Sequence, residues 1–132
     1  MAPARVPLVD YLRLEPEPHL VAQECISCGA RFFDRRNACA RCGRTEFAPA
    51  SVDGSGELRA FTIVHRAAPG IPVPFVSAIV RTDDGTWVRS NVVNCDPTPD
   101  AVKLGMRVQL ITHTIGADDD GTEAVAFGYE PV

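Results

Sequence analysis

The stretch Cys25-Ile-Ser-Cys28-Gly29 and its repeat Cys39-Ala-Arg-Cys42-Gly43, with ten residues between the pairs, decides the fold of the first third of this 132-residue chain. Two Cys-x-x-Cys pairs at short separation can place four thiolates tetrahedrally around one zinc ion. The glycine after each pair accepts a positive φ cheaply as the chain turns back under the metal. The pattern predicts a zinc ribbon with one structural zinc ion. Four sulfur ligands leave no open position for water, so the metal is expected to fold this segment.

Two other uses of these cysteines fit the sequence less well. Disulfides would suit a secreted chain, but residues 1–20 contain no basic-then-apolar leader. A redox Cys-x-x-Cys normally stands alone at the start of a helix beside a strand, whereas here the motif comes twice in close succession. The cysteine usage therefore favours a metal site in a reducing cytoplasm.

Charge is distributed unevenly along a chain whose net charge is −4. Between Cys25 and Phe47 there are five arginines and two acidic residues, whereas from Ser51 onward six basic residues face eleven acidic ones. A basic ribbon therefore precedes an acidic body. The arginines suit either a solvated ribbon surface or contact with an anionic group or partner. No segment approaches the roughly 20 apolar residues of a membrane span.

Proline and glycine divide the chain into three parts. Residues 1–20 form a proline-rich segment in which Leu8–Leu14 is expected to be a short helix, with Pro7 near its start and Pro16 just after its end. Residues 21–48 are the predicted ribbon. Residues 48–55 are read as a linker, and residues 51–132 as a second domain.

The second domain has the strand order of an OB-fold. Strands are predicted at 57–66, 73–82, 86–94, 106–115 and 123–130, with a hairpin turn at Asp83-Asp84-Gly85 and one helical turn between Asp100 and Gly105. Three strands, a helical connection and two strands build a five-stranded Greek-key barrel. Its expected core is Phe61, Ile63, Val76, Ile79, Val88, Val108, Leu110 and Phe127, and the alternation leaves open which face of each strand points inward. The overall fold class is therefore all-β: a rubredoxin-like zinc ribbon, then an OB-fold barrel, with a short N-terminal helix.

The combination of ribbon and barrel resembles the acyl-CoA-associated zinc-ribbon/OB-fold family, long known as a domain of unknown function. Besides the two cysteine motifs, the resemblance rests on Gly54-Ser-Gly56-Glu-Leu-Arg-Ala-Phe61-Thr62-Ile-Val-His65, on Pro72-Val-Pro74-Phe75 and on Lys103-Leu-Gly105-Met106-Arg-Val108. It implies a non-catalytic accessory subunit that docks on a thiolase-like enzyme or an acyl-CoA aldolase and helps to form the CoA and acyl channel. It also implies a hetero-oligomer, and a use in steroid side-chain degradation as one form of lipid metabolism.

Two regions depart from the family pattern. The leading segment is interrupted by prolines, and Phe33-Asp34-Arg35-Arg36-Asn37 replaces the prolines that often precede the second knuckle. Both changes lie where a partner could dock, so they bear on the partner's identity.

Candidate contact residues outside the metal site are few. His65 and Arg66 end the first barrel strand and are the best candidates to face a ligand or partner, together with Phe75 and Trp87. Trp87 suits either an exposed interface or a plug at the end of the barrel. Cys95 is interpreted as a structural thiol, with a nucleophile as the minor alternative. Asp118-Asp119-Asp120 lacks the spacing of a calcium loop and is interpreted as a solvated loop, with a weak cation site as the minor alternative.

Two other functional classes remain as alternatives. A single-stranded nucleic-acid-binding module would use the same two folds, but it requires a basic groove with exposed aromatics, and the barrel half is acidic. A small zinc enzyme requires an open coordination position. Catalysis by the chain alone is not expected, because no nucleophile can be placed beside a histidine and an acid from the sequence.

Overall fold

The computed structural model describes residues 4–132, and every regular element in that range is a β-strand. The strands are β1 Arg5–Pro7, β2 Leu12–Arg13, β3 His19–Cys25, β4 Arg31–Phe32, β5 Phe47–Val52, β6 Ser55–Val64, β7 Phe75–Thr82, β8 Trp87–Val92, β9 Arg107–Ala117 and β10 Glu123–Pro131. None of the described residues belongs to a helix long and apolar enough to cross a membrane.

The predicted helix at Leu8–Leu14 is wrong. Only Leu12 and Arg13 of this segment form a strand, and residues 8–11 bend and turn between β1 and β2, because the backbone finds its partners in β10 and β3. β1 pairs in parallel with β10, and the Leu8 N–H donates to the Val125 carbonyl at 2.8 Å. β2 pairs with the start of β3. A helix of about two turns has little stability of its own, so sheet hydrogen bonds decide the conformation. Residues 1–3 of the predicted segment lie outside the described residues.

A four-stranded sheet forms around β3. Its two edges pair with β5 on one side and with the short strands β2 and β4 on the other. The interpretation of residues 48–55 as a linker is wrong for most of its length, because β5 runs from Phe47 to Val52 against the whole of β3. β5, which leads from the ribbon into the barrel, is therefore hydrogen-bonded to β3 along one edge.

β6 to β10 close into the predicted five-stranded barrel. β6 pairs with β7 and β7 with β8, and β6 also pairs with β9, which pairs with β10. A single parallel pair, Tyr129 with Val92, closes the circle between β10 and β8. The connection before β9 contains one helical hydrogen bond, from the Val102 N–H to the Thr98 carbonyl, and ends at Gly105 with φ +86°.

Burial along the barrel strands shows which side chains face inward. In β7 the buried residues are Val76, Ala78, Val80 and Thr82, so Ile79 points outward and is 39% exposed. Its placement in the core was wrong because consecutive strand residues alternate between faces. Among the other predicted core residues, Val76, Val88 and Val108 are fully buried. Phe61, Ile63, Leu110 and Phe127 are partly buried against the core.

The ribbon sheet and the barrel share one hydrophobic cluster. Leu12, Leu20, Ala22 and Val52 pack against barrel residues of β7, β8, β9 and β10. The barrel members are Val80, Val88, Val108, Val125 and Tyr129. A second cluster, Leu58, Val76, Ala78, Val92 and Val102, fills the other end of the barrel. The shared cluster fixes the position of the ribbon on the barrel.

Candidate metal centre and partner-facing residues

The four predicted cysteine ligands come together at the end of the ribbon. Their Sγ atoms all lie within 4.8 Å of one another, and the pairs Cys25–Cys42 and Cys28–Cys39 are each 3.6 Å apart. A zinc ion with Zn–S bonds of about 2.3 Å needs sulfur separations of about 3.8 Å in a regular tetrahedron. The residues present therefore fit one zinc ion with four sulfur ligands, and the chain has a structural zinc site.

The two knuckles repeat the same local geometry. The Gly29 N–H donates to the Cys25 carbonyl, and the Gly43 N–H donates to the Cys39 carbonyl, each at 2.9 Å. The two glycines have φ of +80° and +79°, a conformation that residues with a Cβ rarely adopt. This turn orients the two sulfurs of each pair toward the metal position.

Electrostatics at the site favour a bound cation. Burial disfavours the thiolate of Cys39, but backbone N–H groups of Cys42 and Arg41 outweigh it and lower its pKa to about 6. At Cys42 the N–H of Arg44 favours the thiolate, yet burial and the neighbouring sulfurs raise its pKa to about 11. Thiolates this close repel one another without a metal, and a divalent ion removes that repulsion.

An ion pair joins the ribbon to the barrel beside this site. Arg31 on β4 donates to Glu24 through Nε and to Asp84 through Nη1, both at 3.0 Å. Asp84, in the turn between β7 and β8, also accepts from the N–H groups of Asp53 at 2.9 Å and Thr86 at 3.1 Å, and from the Thr82 hydroxyl. We refer to Arg31 and Asp84 as the clamp.

The clamp carboxylate is strongly held in its ionised form. Partial burial works against the charge, but hydrogen bonds from Thr82, Asp53 and Thr86 hold the pKa of Asp84 well below its ordinary value. Burial alone would lower the pKa of Arg31, but Glu24 and Asp84 together raise it. Sequence reasoning missed this pair because nothing local connects residues 53 positions apart.

Two of the ribbon arginines, Arg31 and Arg36, interact with other side chains of the fold, and a third, Arg35, lines an open groove. Arg31 belongs to the clamp, and Arg36 lies over the Phe32 ring at 4.2 Å while reaching Asp34 at 3.5 Å. Arg35 lies with Tyr11 and Phe33 in an open groove of about 700 Å³ between the N-terminal segment and the ribbon. The solvated-surface interpretation therefore does not hold for Arg31, whose charge is used within the fold.

The four predicted partner-facing residues occupy two ends of the barrel. His65 and Arg66 are exposed just after β6, and Phe75 is half-buried where β7 begins, paired with Val64. Trp87 begins β8 and pairs with Arg81, six residues along β7 from Phe75. At roughly 3.4 Å per residue, this separates Trp87 from Phe75 by about 20 Å. The structure thus brings together three of the four candidates and places Trp87 apart from them.

The remaining candidates show ordinary local roles. Trp87 is 55% exposed, so it does not plug the barrel. The Cys95 thiol lies 3.7 Å from the carbonyls of Asp96 and Ala101. Asp118 accepts hydrogen bonds from the N–H groups of Asp120 and Thr122, which closes the loop between β9 and β10.

A closed four-cysteine ribbon packed on a five-stranded barrel defines a zinc-ribbon/OB-fold protein. Comparison with known families agrees: residues 14–48 match the rubredoxin-like zinc ribbon domain of ChsH2, and residues 50–113 match the C-terminal OB-fold domain of ChsH2. A DUF35 domain-containing scaffold protein of Methanocaldococcus jannaschii is 30% identical over 117 residues, which cover 86% of this chain and 82% of that protein. The chain belongs to the DUF35 family.

Two further similarities are to proteins described as an aldolase and as an enzyme subunit. A solved structure described as the Ltp2-ChsH2(DUF35) aldolase matches with a TM-score of 0.66 and 25% identity, over 86% of this chain and 84% of that one. A probable enoyl-CoA hydratase alpha subunit of Thermomonospora curvata is 28% identical over 92 residues, 69% of this chain but 28% of that protein.

Proposed function

We propose that this chain is a non-catalytic accessory subunit of a thiolase-like acyl-CoA enzyme, either a thiolase or a retro-aldolase. The observation that carries the proposal is the similarity, along most of both chains, to the structure described as the Ltp2-ChsH2(DUF35) aldolase. The relative from M. jannaschii is described as a scaffold protein, and the T. curvata relative as a subunit of an enzyme for acyl-CoA substrates. Both descriptions support a role in an assembly.

In this proposal the contribution of the chain is positional. Bond making and breaking at the thioester take place on the catalytic subunit. The metal supplies rigidity: with four sulfurs as ligands it has no position for water or substrate. The rigid ribbon then lies in one orientation on the barrel, because the shared core and the clamp both hold it there.

The loop between β6 and β7 is the proposed wall of the acyl or pantetheine channel. His65 and Arg66 begin it, and Ile71 and Val73 are 50% and 43% exposed on it. An exposed cation beside exposed aliphatic side chains suits a ligand with a phosphate at one end and an apolar arm at the other. Phe75 closes the loop where β7 begins.

Co-purification tests the proposal. The tagged chain, expressed in its native host, is expected to bring down a thiolase-like or aldolase chain that mass spectrometry identifies. The two purified proteins together should then cleave or condense acyl-CoA thioesters faster than the catalytic chain alone. Steroid side-chain CoA esters and short-chain 3-hydroxyacyl-CoA esters, assayed side by side, distinguish steroid degradation from other substrates.

The zinc dependence gives a control. Cys28→Ser should release the metal, unfold the ribbon and abolish the complex. The proposal fails if the wild-type chain isolates no acyl-CoA enzyme, or if the catalytic chain is equally active and soluble without it.

A further inference from the structure

One face of the barrel, on the outside of β6, β7 and β8, is basic and exposes apolar side chains, whereas the domain as a whole is acidic. Its outward side chains include Glu57 and Arg59 of β6, Ile79 and Arg81 of β7, and Trp87 and Arg89 of β8, and we call this set the outer face. Residues paired across strands share a face, and Arg81 pairs with Trp87 while Ile79 pairs with Arg89. The four side chains therefore form one compact group, in which the two apolar side chains lie diagonally opposite each other and so do the two cationic ones.

The charge of the outer face is opposite to that of the domain. From Ser51 onward the chain carries six basic and eleven acidic residues, a net of −5. The outer face holds three of the six basic residues (Arg59, Arg81 and Arg89) against a single acid, Glu57, a net of +2. The next carboxylate along the turn, Asp83, is occupied by Arg107 through bonds of 2.9 and 2.8 Å.

The two central cations of the outer face are not used within the fold. Arg59 reaches Glu57 at 3.1 Å, but neither Arg81 nor Arg89 takes part in an ion pair within residues 4–132. Between them lie Trp87, 55% exposed, and Ile79, 39% exposed. Tryptophan and arginine are the side chains most enriched at the energetic centres of protein interfaces.

We propose that the outer face is the docking surface for the catalytic partner, and that the matching surface of the partner is an apolar depression rimmed by carboxylates. This inference rests on the proposed function and identifies the part of the chain that performs it. Trp87 and Ile79 enter the depression, and Arg81 and Arg89 pair with the carboxylates. The face lies directly beside the clamp turn, so the zinc ribbon stiffens the edge that carries Trp87.

Charge arguments favour this occupant over two others. A second copy of the chain, docked symmetrically through the same face, would bring together two faces that each carry a net charge of +2, and like charges disfavour that contact. Single-stranded nucleic acid is bound by a series of stacking aromatics in a basic groove, whereas the outer face offers one aromatic on a chain of net charge −4.

The test uses the catalytic chain identified by co-purification, with binding kinetics measured by surface plasmon resonance at two salt concentrations. Arg81→Glu/Arg89→Glu changes the net charge of the outer face from +2 to −2, so it should lower the association rate at least tenfold at low salt and reverse its salt dependence. Trp87→Ala should raise the dissociation rate at least tenfold. Arg5→Glu/Arg13→Glu is the matched control, because it makes the same change in charge at exposed sites on β1 and β2, outside the three strands of the outer face.

Zinc content and thermal midpoint must equal those of the wild type for every variant. If the catalytic chain binds the wild type and both outer-face variants equally well, the docking surface lies elsewhere and this inference is wrong, while the proposed function stands. If no catalytic chain binds the wild type, both fail. A change of oligomeric state in the variants would assign the face to a second copy, and loss of single-stranded DNA binding in them would assign it to nucleic acid; either result overturns the inference.

Discussion

Removal of the Asp84 carboxylate should weaken the junction between ribbon and barrel more than any other single change in the turn. Asp84 accepts hydrogen bonds from four groups, and its side chain is only 20% exposed. The donors come from three parts of the chain: Arg31 from the ribbon, Asp53 from the entry to the barrel, and Thr82 and Thr86 from the turn itself. Asp84→Ala removes all four interactions at once.

The size of the effect follows from these contacts. Hydrogen bonds to a charged group contribute about 1.5–3 kcal/mol each when buried, and competition from solvent reduces this for a partly exposed carboxylate. Arg31 keeps Glu24 as a partner, the Thr86 N–H keeps the Thr82 hydroxyl oxygen at 3.0 Å, and the N–H of the exposed Asp53 can reach water. We therefore expect Asp84→Ala to lower the free energy of unfolding by about 2–3 kcal/mol, which corresponds to roughly 6–9 °C in the thermal midpoint.

The sign of the pH dependence is also determined. The folded-state pKa of Asp84 is depressed, so its contribution is complete above the unfolded pKa of about 4 and is lost as the pH falls through the folded value. The difference between wild type and Asp84→Ala should therefore be constant between pH 6 and pH 9. Thermal unfolding of the zinc-loaded proteins, followed by circular dichroism, measures it.

The neighbouring residue provides a matched control. Asp83 is also an aspartate in this turn and is also paired with an arginine, but that pair is about half exposed to solvent. Asp83→Ala should leave the thermal midpoint nearly unchanged. A double-mutant cycle with Arg31→Ala isolates the cross-domain interaction, for which we expect a coupling of about 1 kcal/mol. Equal effects of Asp83→Ala and Asp84→Ala, or no coupling to Arg31, would refute the account of the clamp.

Three further predictions concern packing and metal. Gly56→Ala should destabilise the protein by about 2 kcal/mol, because its Cβ would lie 2.6 Å from the Arg81 carbonyl oxygen and 2.9 Å from Val80 Cγ1. Chemical denaturation measures the loss, and Gly54→Ala is the control because nothing lies within 4 Å of its Cβ. Equal losses of stability in the two variants would contradict this explanation. Tyr129→Phe should raise stability by about 1 kcal/mol, since within the described residues the buried hydroxyl has no hydrogen-bond partner; a loss in the same titration would reveal an internal water bonded to it. Replacement of zinc by cobalt should give one metal per chain and the intense visible absorption of a tetrahedral thiolate complex, and a weak octahedral spectrum would exclude the four-sulfur site.

The sequence predicted the features that depend on local chemistry. Cysteine spacing located the metal site, and the alternation of β-formers with the turn at Asp83-Asp84-Gly85 located all five barrel strands to within about two residues. The error at Leu8–Leu14 has a different origin, because the backbone there bonds to β10, more than a hundred residues later, at Leu8 and to β3 from Tyr11 onward. Ile79 was misplaced because the predicted core combined it with Val76, which is three residues earlier and therefore on the opposite face of β7.

The same distinction explains why the outer face could not be recognised from the sequence alone. Arg81 and Arg89 look like scattered charges until the register of β7 and β8 places them on one surface with Trp87 and Ile79. Besides the shared hydrophobic cluster, a short polar path joins that surface to the zinc site, from the first knuckle through Arg31 to Asp84 and on to the strand that begins at Trp87. Loss of the metal would release Arg31 and with it one anchor of this turn. Under the proposed docking at the outer face, loss of zinc should therefore weaken partner binding by releasing the turn before Trp87, although four sulfur ligands leave the metal no position for a substrate.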